Sequence, residues 1–507
     1  MGGGHVSRPD FGMPQPDPAY PLTEFYLLLQ HALDKAGRFA LPALYARVQA
    51  PARHIYLDEA REYLSLSPTG REGDIRLLAE GSLQLLYSTV DTLVIGNFCD
   101  TTALASVATS SQPLEILLCV FVGIGSGISI LVSQAVGRGD RDQLQKLVRT
   151  SVWLLFAASL PLTVIGFLLG PWMLQLMQVP ADAMPGAVLY LRITMLGILG
   201  NMGYNFNAGL LRGIGNSSSS LLLLFISCAA NIVLDLVLTG ALGLGIGGVA
   251  AATAITLFLS WICSIFYIRR RCTELALPVL PCGFDAGTLR QIVRIGLPLG
   301  LNSALYSIGH VFLQALYNLQ GSVFVAGCSV AGKVGGLANI TVTSLSQATS
   351  VFAGQNLGAQ DYRRLRKGGW MIPAASGLLS LAGGLLMAAC CRPLLLLFTQ
   401  DEAVLTFAVR YIRVVLPFQW CYAAFNAIMS FANGMGEIRY STIVNIILLW
   451  GVRIPASYLL AWLGYGGYAM AGVSFSFVVG LLAMLFYYKS HAWADICAHA
   501  EAQESSK

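Results

Sequence analysis

The stretch SVWLLFAASLPLTVIGFLLGPW, from Ser151 to Trp172, carries no charged side chain and is long enough to cross a lipid bilayer as one helix. It belongs to one of twelve apolar runs of similar length in the chain. Their length, and the absence of the alternating pattern of a β-barrel strand, favours helices. We therefore predict an all-α polytopic membrane protein with twelve transmembrane helices. The predicted spans are 76–97, 110–136, 148–172, 187–209, 219–240, 246–268, 292–317, 330–356, 370–391, 408–431, 440–463 and 467–488.

The composition supports the same conclusion. Of the 507 residues, 55% are hydrophobic and only 11% are charged, and the mean hydropathy is +0.65. Because a soluble domain carries about a quarter charged residues, this chain has too few polar side chains to cover its apolar mass. The composition excludes a disordered protein, a collagen-like fibre and a nucleic-acid-binding module. The eleven cysteines form no CxxC pair and are interpreted as small buried residues.

Lys and Arg residues are concentrated in every second loop. Clusters follow the second, sixth and eighth runs, whereas the loops after runs one, three, five and eleven contain neither residue. The largest clusters lie within 138–149, 269–271 and 363–367. The positive-inside rule therefore predicts a multi-pass protein of the inner membrane with both termini in the cytoplasm.

The chain also contains an internal repeat. QAVGRGD at 134–140 matches QNLGAQD at 355–361, an offset of 221 residues, and GIG at 213–215 matches GMG at 434–436 at the same offset. Each half holds six spans, so we predict two pseudo-symmetric six-helix lobes that enclose a central cavity open to either side in turn. The predicted segments are a polar cytoplasmic extension, the N-terminal lobe, a cytoplasmic linker, the C-terminal lobe and a cytoplasmic tail, at 1–75, 76–271, 272–291, 292–489 and 490–507.

Ionisable residues within the spans are candidates for function, because burying a charge in a bilayer is costly. Asp91 and Asp235 lie within spans one and five, whereas the acidic residues of the second half lie in loops or at span ends. Asn231 and Asp235 are spaced i,i+4 and share one helix face. Their oxygens, with the hydroxyl of Thr253 on the next span, could bind Na⁺, or the carboxyl groups could bind H⁺. Asn231 and Thr253 could instead form interhelical hydrogen bonds.

Other polar residues are candidates for the lining of a substrate cavity. His310 falls where the repeat places Asp91 and is either a titratable partner or a core histidine. Arg453 precedes Pro455 and either faces the cavity or braces a kink, and Glu115 could line the outer mouth of the cavity. The remaining candidates are Asn207, Tyr306, Lys333 and Tyr422.

Several motifs between residues 85 and 488 resemble the multidrug and toxic compound extrusion (MATE) transporters. These motifs are YSTVD at 87–91, QAVG at 134–137, QNLG at 355–358, LRGIGN at 211–216, NIVLD at 231–235 and VRIP at 452–455. The resemblance implies twelve helices in two lobes, and export of amphipathic, often cationic, organic compounds in exchange for Na⁺ or H⁺.

The branch that the chain resembles is the one related to the DNA-damage-inducible F proteins. This resemblance implies that Asp91, Asn231, Asp235 and Thr253 surround the coupling cation. Another branch carries carboxylates in spans seven and ten, where Tyr306 and Tyr422 stand in this chain. Coupling is therefore expected in the N-terminal lobe and not in the C-terminal lobe.

We predict a monomeric secondary active transporter that needs no cofactor beyond its coupling ion and binds small amphipathic compounds. No H-E-x-x-H, G-x-S-x-G or P-loop motif occurs, which argues against an enzyme and against an ATP-driven pump. One alternative is a lipid-linked oligosaccharide flippase, whose anionic headgroup would need several basic residues, and only Lys333 and Arg453 are available. A channel or sensory membrane protein is the other alternative, but the paired acidic residues in one lobe argue against a passive pore.

Overall fold

The computed structural model describes residues 101–176, 179, 183–396 and 401–505, and the regular structure within these ranges is helical. The predicted extension at 1–75 and the first predicted span at 76–97 lie outside the described residues. The α-helices are α1 Thr101–Arg138, α2 Arg141–Leu176, α3 Met184–Leu196, α4 Ile198–Gly213, α5 Ser217–Asp235, α6 Gly245–Arg271, α7 Ala286–Asn318, α8 Ser322–Gly358, α9 Tyr362–Ala389, α10 Cys391–Leu396, α11 Glu402–Val415, α12 Gln419–Gly434, α13 Ile438–Ile446, α14 Ile454–Leu460, α15 Ala471–Leu485 and α16 His491–Ser505.

Each of the other eleven predicted spans falls on a helix or on consecutive helices. Eight segments are long and apolar enough to cross a membrane, or ten if the bent pair α3–α4 and the bent helix α8 each count as one span. The remaining predicted span lies in α7, which is 33 residues long. Its middle carries Asn302, Tyr306 and His310, which lower its mean hydropathy. The all-helical architecture predicted from the apolar runs is thus confirmed for the described part of the chain.

Acidic side chains in the loops cap the N-termini of several helices. Asp285 accepts a hydrogen bond of 2.7 Å from the backbone N–H of Thr288 at the start of α7, and Asp361 and Asp401 cap α9 and α11 in the same way. The backbone and hydroxyl hydrogen bonds from Thr288 lower the pKa of Asp285 below its ordinary value. Because of this cap, α7 begins at Ala286, within the segment predicted to be a linker.

Two of the spans are bent. Helices α3 and α4 meet at Gly197 at an angle of 48°. A Cβ at Gly197 would lie 3.0 Å from the Cα of Ala254 in α6, so only glycine fits the contact without displacement. Helix α8 bends by 43°. The bend at Gly197 therefore keeps the fourth span packed against α6.

The two lobes meet along α1 and α7. Gly123 and Gly127 of α1 lie against Gly300 and Gly296 of α7, and a Cβ at Gly123 would overlap the backbone of Gly300. Both helices therefore carry the GxxxG spacing that permits close backbone approach between membrane helices. We call this contact the glycine seam.

The Lys and Arg clusters lie in the helical turns beside the loops 139–140, 272–285 and 359–361, at one end of the bundle that we call the basic end. The loop 214–216, which follows Arg212, lies at the same end. The backbone N–H of Asp285 donates to the hydroxyl of Thr150 at 3.2 Å, which ties the loop before α7 to α2. Helix α16, within the predicted tail at 490–507, packs on α9 at this end, where Arg366 pairs with Glu504 at 2.8 Å.

Candidate functional site

Two of the predicted cation-binding residues, Asn231 and Asp235, have exposed fractions of 0% on α5. Both polar atoms of the Asn231 amide lack a hydrogen-bond partner among the described residues, as does the hydroxyl of Thr253 on α6. An unsatisfied buried polar group destabilises a fold by about 1–3 kcal/mol, and such groups are uncommon. The N-terminal lobe therefore holds buried polar atoms that a bound ion or water would satisfy.

The backbone changes its winding directly after Asp235. Helix α5 ends there and continues as a π-helical turn, Leu236–Ala241. Thr239 in this turn has a buried hydroxyl that bonds to no described group, and a Cβ at Gly248 of α6 would approach that hydroxyl to 2.8 Å. Single π-helical turns are rare and occur frequently at functional sites.

Two predicted carboxylates cannot be placed beside this group. Asp91 lies outside the described residues. Glu115 lies in α1, but its side chain is also outside the description. The participation of Asp91 in cation binding stays a prediction, as does a role for Glu115 at the outer mouth.

The C-terminal lobe contains a cavity of about 360 Å³ between α7, α8, α11, α12, α15 and the segment that ends at Arg453. Four of the predicted cavity residues line it, namely Tyr306, His310, Tyr422 and Arg453. We call it the arginine cavity. Its other polar lining residues are Gln314, Tyr317, Asn339, Tyr411 and Gln419. No Asp or Glu is among the described residues that line it.

The guanidinium of Arg453 is buried and held from two sides. Its Nε donates to the hydroxyl of Ser476 at 2.9 Å and its Nη1 donates to the hydroxyl of Tyr306 at 2.8 Å. Its Cζ also lies 5.4 Å from the ring centroid of Tyr306 and 5.3 Å from that of Phe477, which adds cation–π attraction. The ring of Tyr306 in turn packs edge-on against His310, with centroids 4.8 Å apart. Of the two predictions for Arg453, the structure supports the one in which it faces the cavity.

A second cavity of about 210 Å³ lies between the lobes. Its lining is rich in hydroxyl and amide groups from both halves, and Arg212 of α4 is the charged residue among those described. The polar lining residues are Ser126, Ser129, Asn302, Ser303, Ser346, Gln347, Ser350, Ser430 and Asn433. We call it the central cavity, and it matches the position predicted from the two-lobe repeat.

Two hydrogen bonds join the lobes between the central cavity and the basic end. The Nε2 of Gln134, in α1, donates to the carbonyl of Gly434 at 2.9 Å. The Nε2 of Gln355, in α8, donates to the carbonyl of Gly213 at 3.2 Å. We call Gln134 and Gln355 the glutamine pair. The described parts of the two lobes are therefore in contact near the basic end in this conformation.

Two predicted cavity residues line neither the arginine cavity nor the central cavity. Asn207 donates to the hydroxyl of Ser264 at 2.7 Å and is buried inside the N-terminal lobe, where it joins α4 to α6. Lys333 is exposed on α8, and although Gly332 and Gly335 line the arginine cavity, Lys333 does not. Neither the rotation of α4 nor that of α8 follows from an apolar run, and a role for Asn207 or Lys333 in substrate binding stays a prediction.

Several lining residues of the arginine cavity are not among the predicted residues. On α7 these are Gln314 and Tyr317, which continue the helical face of Tyr306 and His310 at spacings of four and three residues. This periodicity was the available signal. Tyr411 and Gln419 belong to other helices, and no local pattern connects them with α7.

Comparison with known proteins identifies the family. The family model described as MatE matches the chain twice, at residues 77–237 and 298–459. The chain belongs to the MatE family. The two MatE matches begin 221 residues apart, the offset of the internal repeat, which confirms that the lobes are repeated units.

Two relatives in Bacillus subtilis (strain 168) illustrate the MatE similarity. The chain is 29% identical over 440 residues to "Probable multidrug resistance protein YoeA", covering 82% of this chain and 92% of YoeA. It is 26% identical over 422 residues to "Probable multidrug resistance protein YpnP", covering 82% of this chain and 93% of YpnP. Among solved structures, the crystal structure of MATE in complex with MaL6 has a TM-score of 0.79 at 20% identity and covers 87% of this chain and 99% of that chain. This protein is thus a multi-pass membrane protein with the MATE fold.

Proposed function

We propose that this MatE protein exports amphipathic, often cationic, organic compounds in exchange for Na⁺ or H⁺ by alternating access. The observation that carries the proposal is the complete burial of Asp235, one helical turn from an Asn231 amide that has no partner in the described chain. A carboxylate in such a position is costly unless a cation or a proton neutralises it. Na⁺ would find carboxylate, amide and hydroxyl oxygens on α5 and α6, while H⁺ would need only the carboxylate.

The mechanism follows from differential affinity. Binding of the cation at Asp235, with Asn231 and Thr253 beside it, favours the state that releases the organic substrate outward. Binding of substrate from the cytoplasm favours the state that releases the cation inward. Each ligand shifts the equilibrium only by the difference between its affinities for the two states. If the basic end faces the cytoplasm, as its Arg and Lys content predicts, the glutamine pair joins the lobes on the cytoplasmic side in the conformation described.

The inner membrane is the proposed location, with both termini in the cytoplasm, because the basic loops alternate with loops that contain few or no Lys and Arg. The flippase alternative is not favoured. Curated relatives of the chain carry multidrug-resistance names, and the described lining of the two cavities contains one arginine each and no lysine. An anionic oligosaccharide headgroup would need more basic groups than that.

The test uses purified protein in liposomes with a fluorescent organic cation, whose flux is followed under an imposed Na⁺ gradient and then under an imposed H⁺ gradient. We expect one gradient to drive flux in the wild type and not in Asp235→Asn. Asp142→Asn is the matched control, because Asp142 is exposed in the first turn of α2, at the basic end. Equal gradient-driven flux in Asp235→Asn and Asp142→Asn would overturn the assignment of Asp235.

A further inference from the structure

The arginine cavity contains a positive charge without a balancing carboxylate. Arg453 carries a fixed charge, and the described residues that line the cavity include no Asp or Glu. A buried cation without a counter-charge is destabilising. A ligand with a negative charge therefore gains more from this cavity than a neutral ligand of the same shape.

The guanidinium is also preorganised. Two of its five N–H groups are used by Ser476 and Tyr306, and these bonds hold its plane in one orientation. A carboxylate matches the fork of a guanidinium and accepts two parallel hydrogen bonds from it. Because the arginine is already ordered, little conformational entropy is lost when such a ligand binds.

The remaining walls suit an aromatic body. The ring centroids of Tyr422 and Phe477 lie 4.6 Å apart. The ring of Tyr306 also contacts the guanidinium of Arg453. Tyr317 and Tyr411 add further phenol groups to the lining. Aromatic rings bind other rings through stacked or edge-on contacts, and a cavity of about 360 Å³ has room for a small bicyclic compound.

We propose that the arginine cavity binds the carboxylate of an aromatic organic acid or zwitterion, with Arg453 as its charge partner. The inference rests on the proposed export function and names one substrate class for it. The two lobes would then divide the charges between them. The buried carboxylate of Asp235 lies in the N-terminal lobe and takes a cation, whereas the buried guanidinium of Arg453 lies in the C-terminal lobe and takes an anion.

The first experiment compares the binding of 2-naphthoate and of its neutral analogue 2-naphthamide to the purified full chain by calorimetry. Charge-assisted hydrogen bonds predict that naphthoate binds about tenfold or more tightly than naphthamide. In Arg453→Gln we expect the two affinities to become similar, while Arg453→Lys retains part of the preference.

A second pair of variants covers the case in which Arg453→Gln does not fold. Gly336 lines the cavity, and a Cβ added there would meet nothing within 4 Å, so Gly336→Leu extends into open space. Gly383 of α9 has the same free space but does not line the cavity, so Gly383→Leu is the matched control. We expect Gly336→Leu to weaken naphthoate binding at least tenfold and Gly383→Leu to leave it unchanged.

Three results would overturn the inference. They are equal affinity of the wild type for naphthoate and naphthamide, an unchanged preference in folded Arg453→Gln, and displacement of naphthoate by chloride at equal concentration, which would indicate an inorganic anion site. These binding measurements need no ion gradient. If an ion gradient drives export of cations but naphthoate is not preferred to naphthamide, this inference is overturned and the proposed function stands. If naphthoate is preferred but no ion gradient drives export, the proposed function is overturned and the binding inference stands.

Discussion

Gln134 and Gln355 are equivalent residues of the two repeats, and each donates its side-chain amide to the lobe opposite its own. The accepting carbonyls, those of Gly434 and Gly213, are also equivalent at the offset of 221 residues. The same donor and the same acceptor are therefore used twice, once in each direction, to join the lobes near the basic end.

This symmetry leads to a first prediction. Replacing both Gln134 and Gln355 by alanine removes two interlobe hydrogen bonds, each worth about 0.5–1.5 kcal/mol, so the basic end should open more often. The measurement is the labelling rate of Ser126→Cys, in the central cavity, by a membrane-impermeant thiol reagent applied from the basic end to a chain whose native cysteines, such as the exposed Cys282, are replaced by serine. We expect an increase of about tenfold in the double variant.

Gln503→Ala is the control for that measurement. Gln503 donates to the carbonyl of Gln360 at the same end of the molecule, but both residues belong to the C-terminal half. Its replacement should not change the labelling rate. A labelling rate in the double glutamine variant equal to that of Gln503→Ala would show that the pair does not hold the lobes together.

Asn231 and Asn207 make a matched pair for separating function from stability. Asn231→Leu removes an amide that has no partner in the described chain, so we expect no loss of thermal stability but a loss of coupled export of about tenfold or more. Asn207→Leu breaks the hydrogen bond to Ser264 and leaves that hydroxyl with one bond fewer, so it should destabilise the fold by about 1–3 kcal/mol. Unfolding curves and liposome flux measure the two effects. A lower thermal stability for Asn231→Leu than for Asn207→Leu would contradict the interpretation.

The glycine seam predicts a strong dependence on one methyl group. Gly123→Ala places a Cβ against the backbone of Gly300, so we expect a destabilisation of about 1–3 kcal/mol in thermal unfolding. Gly332→Ala is the control, since a Cβ there meets nothing within 4 Å and alanine favours a helix by up to ~1 kcal/mol. Equal midpoints for the two variants would exclude close packing of α1 on α7.

Asp285 predicts a change of stability in acid. Its pKa is lowered from the ordinary value of 3.8 by the hydrogen bonds from Thr288. The stabilisation is therefore fully present above pH about 4 and is lost as the pH falls through the lowered pKa. Asn also caps helices but does not titrate, so Asp285→Asn should flatten this part of the curve of unfolding temperature against pH. A wild-type curve with the same slope as Asp285→Asn below pH 4 would refute the linkage.

The sequence was sufficient for the architecture because run length, loop charge and the repeat each report a property of the whole chain. It also predicted that Asn231 and Asp235 are buried together, since an i,i+4 pair shares a helix face. The arginine cavity was only partly predictable. Tyr306, His310 and Arg453 were suggested by their polarity, whereas Tyr411 and Gln419 join them only through the rotation and packing of separate helices.

The contacts between the lobes were likewise only partly predictable from the sequence. The match between Gln134 and Gln355 was evident in the sequence, but their acceptors are backbone carbonyls at helix ends and have no side-chain signature. Conversely, the GxxxG spacing of Gly123 with Gly127 is visible in the sequence, although it has no polar residue and the predicted contacts do not include it. Asn207 was predicted to line a cavity because of its polarity, whereas in the structure its amide donates to Ser264 and joins α4 to α6.

The glycine seam also determines how one lobe can turn on the other. A contact made largely of backbone atoms has few interlocked side chains that must change rotamer when the helices rotate, so its energy changes gradually with angle. The glutamine pair is different, because a hydrogen bond is lost when its donor and acceptor atoms move apart by about 1 Å or less. We therefore expect the lobes to rotate about the glycine seam after the hydrogen bonds of the glutamine pair have broken. The energy barrier to opening would then lie at the start of the movement, and the rest of the rotation would meet no comparable barrier.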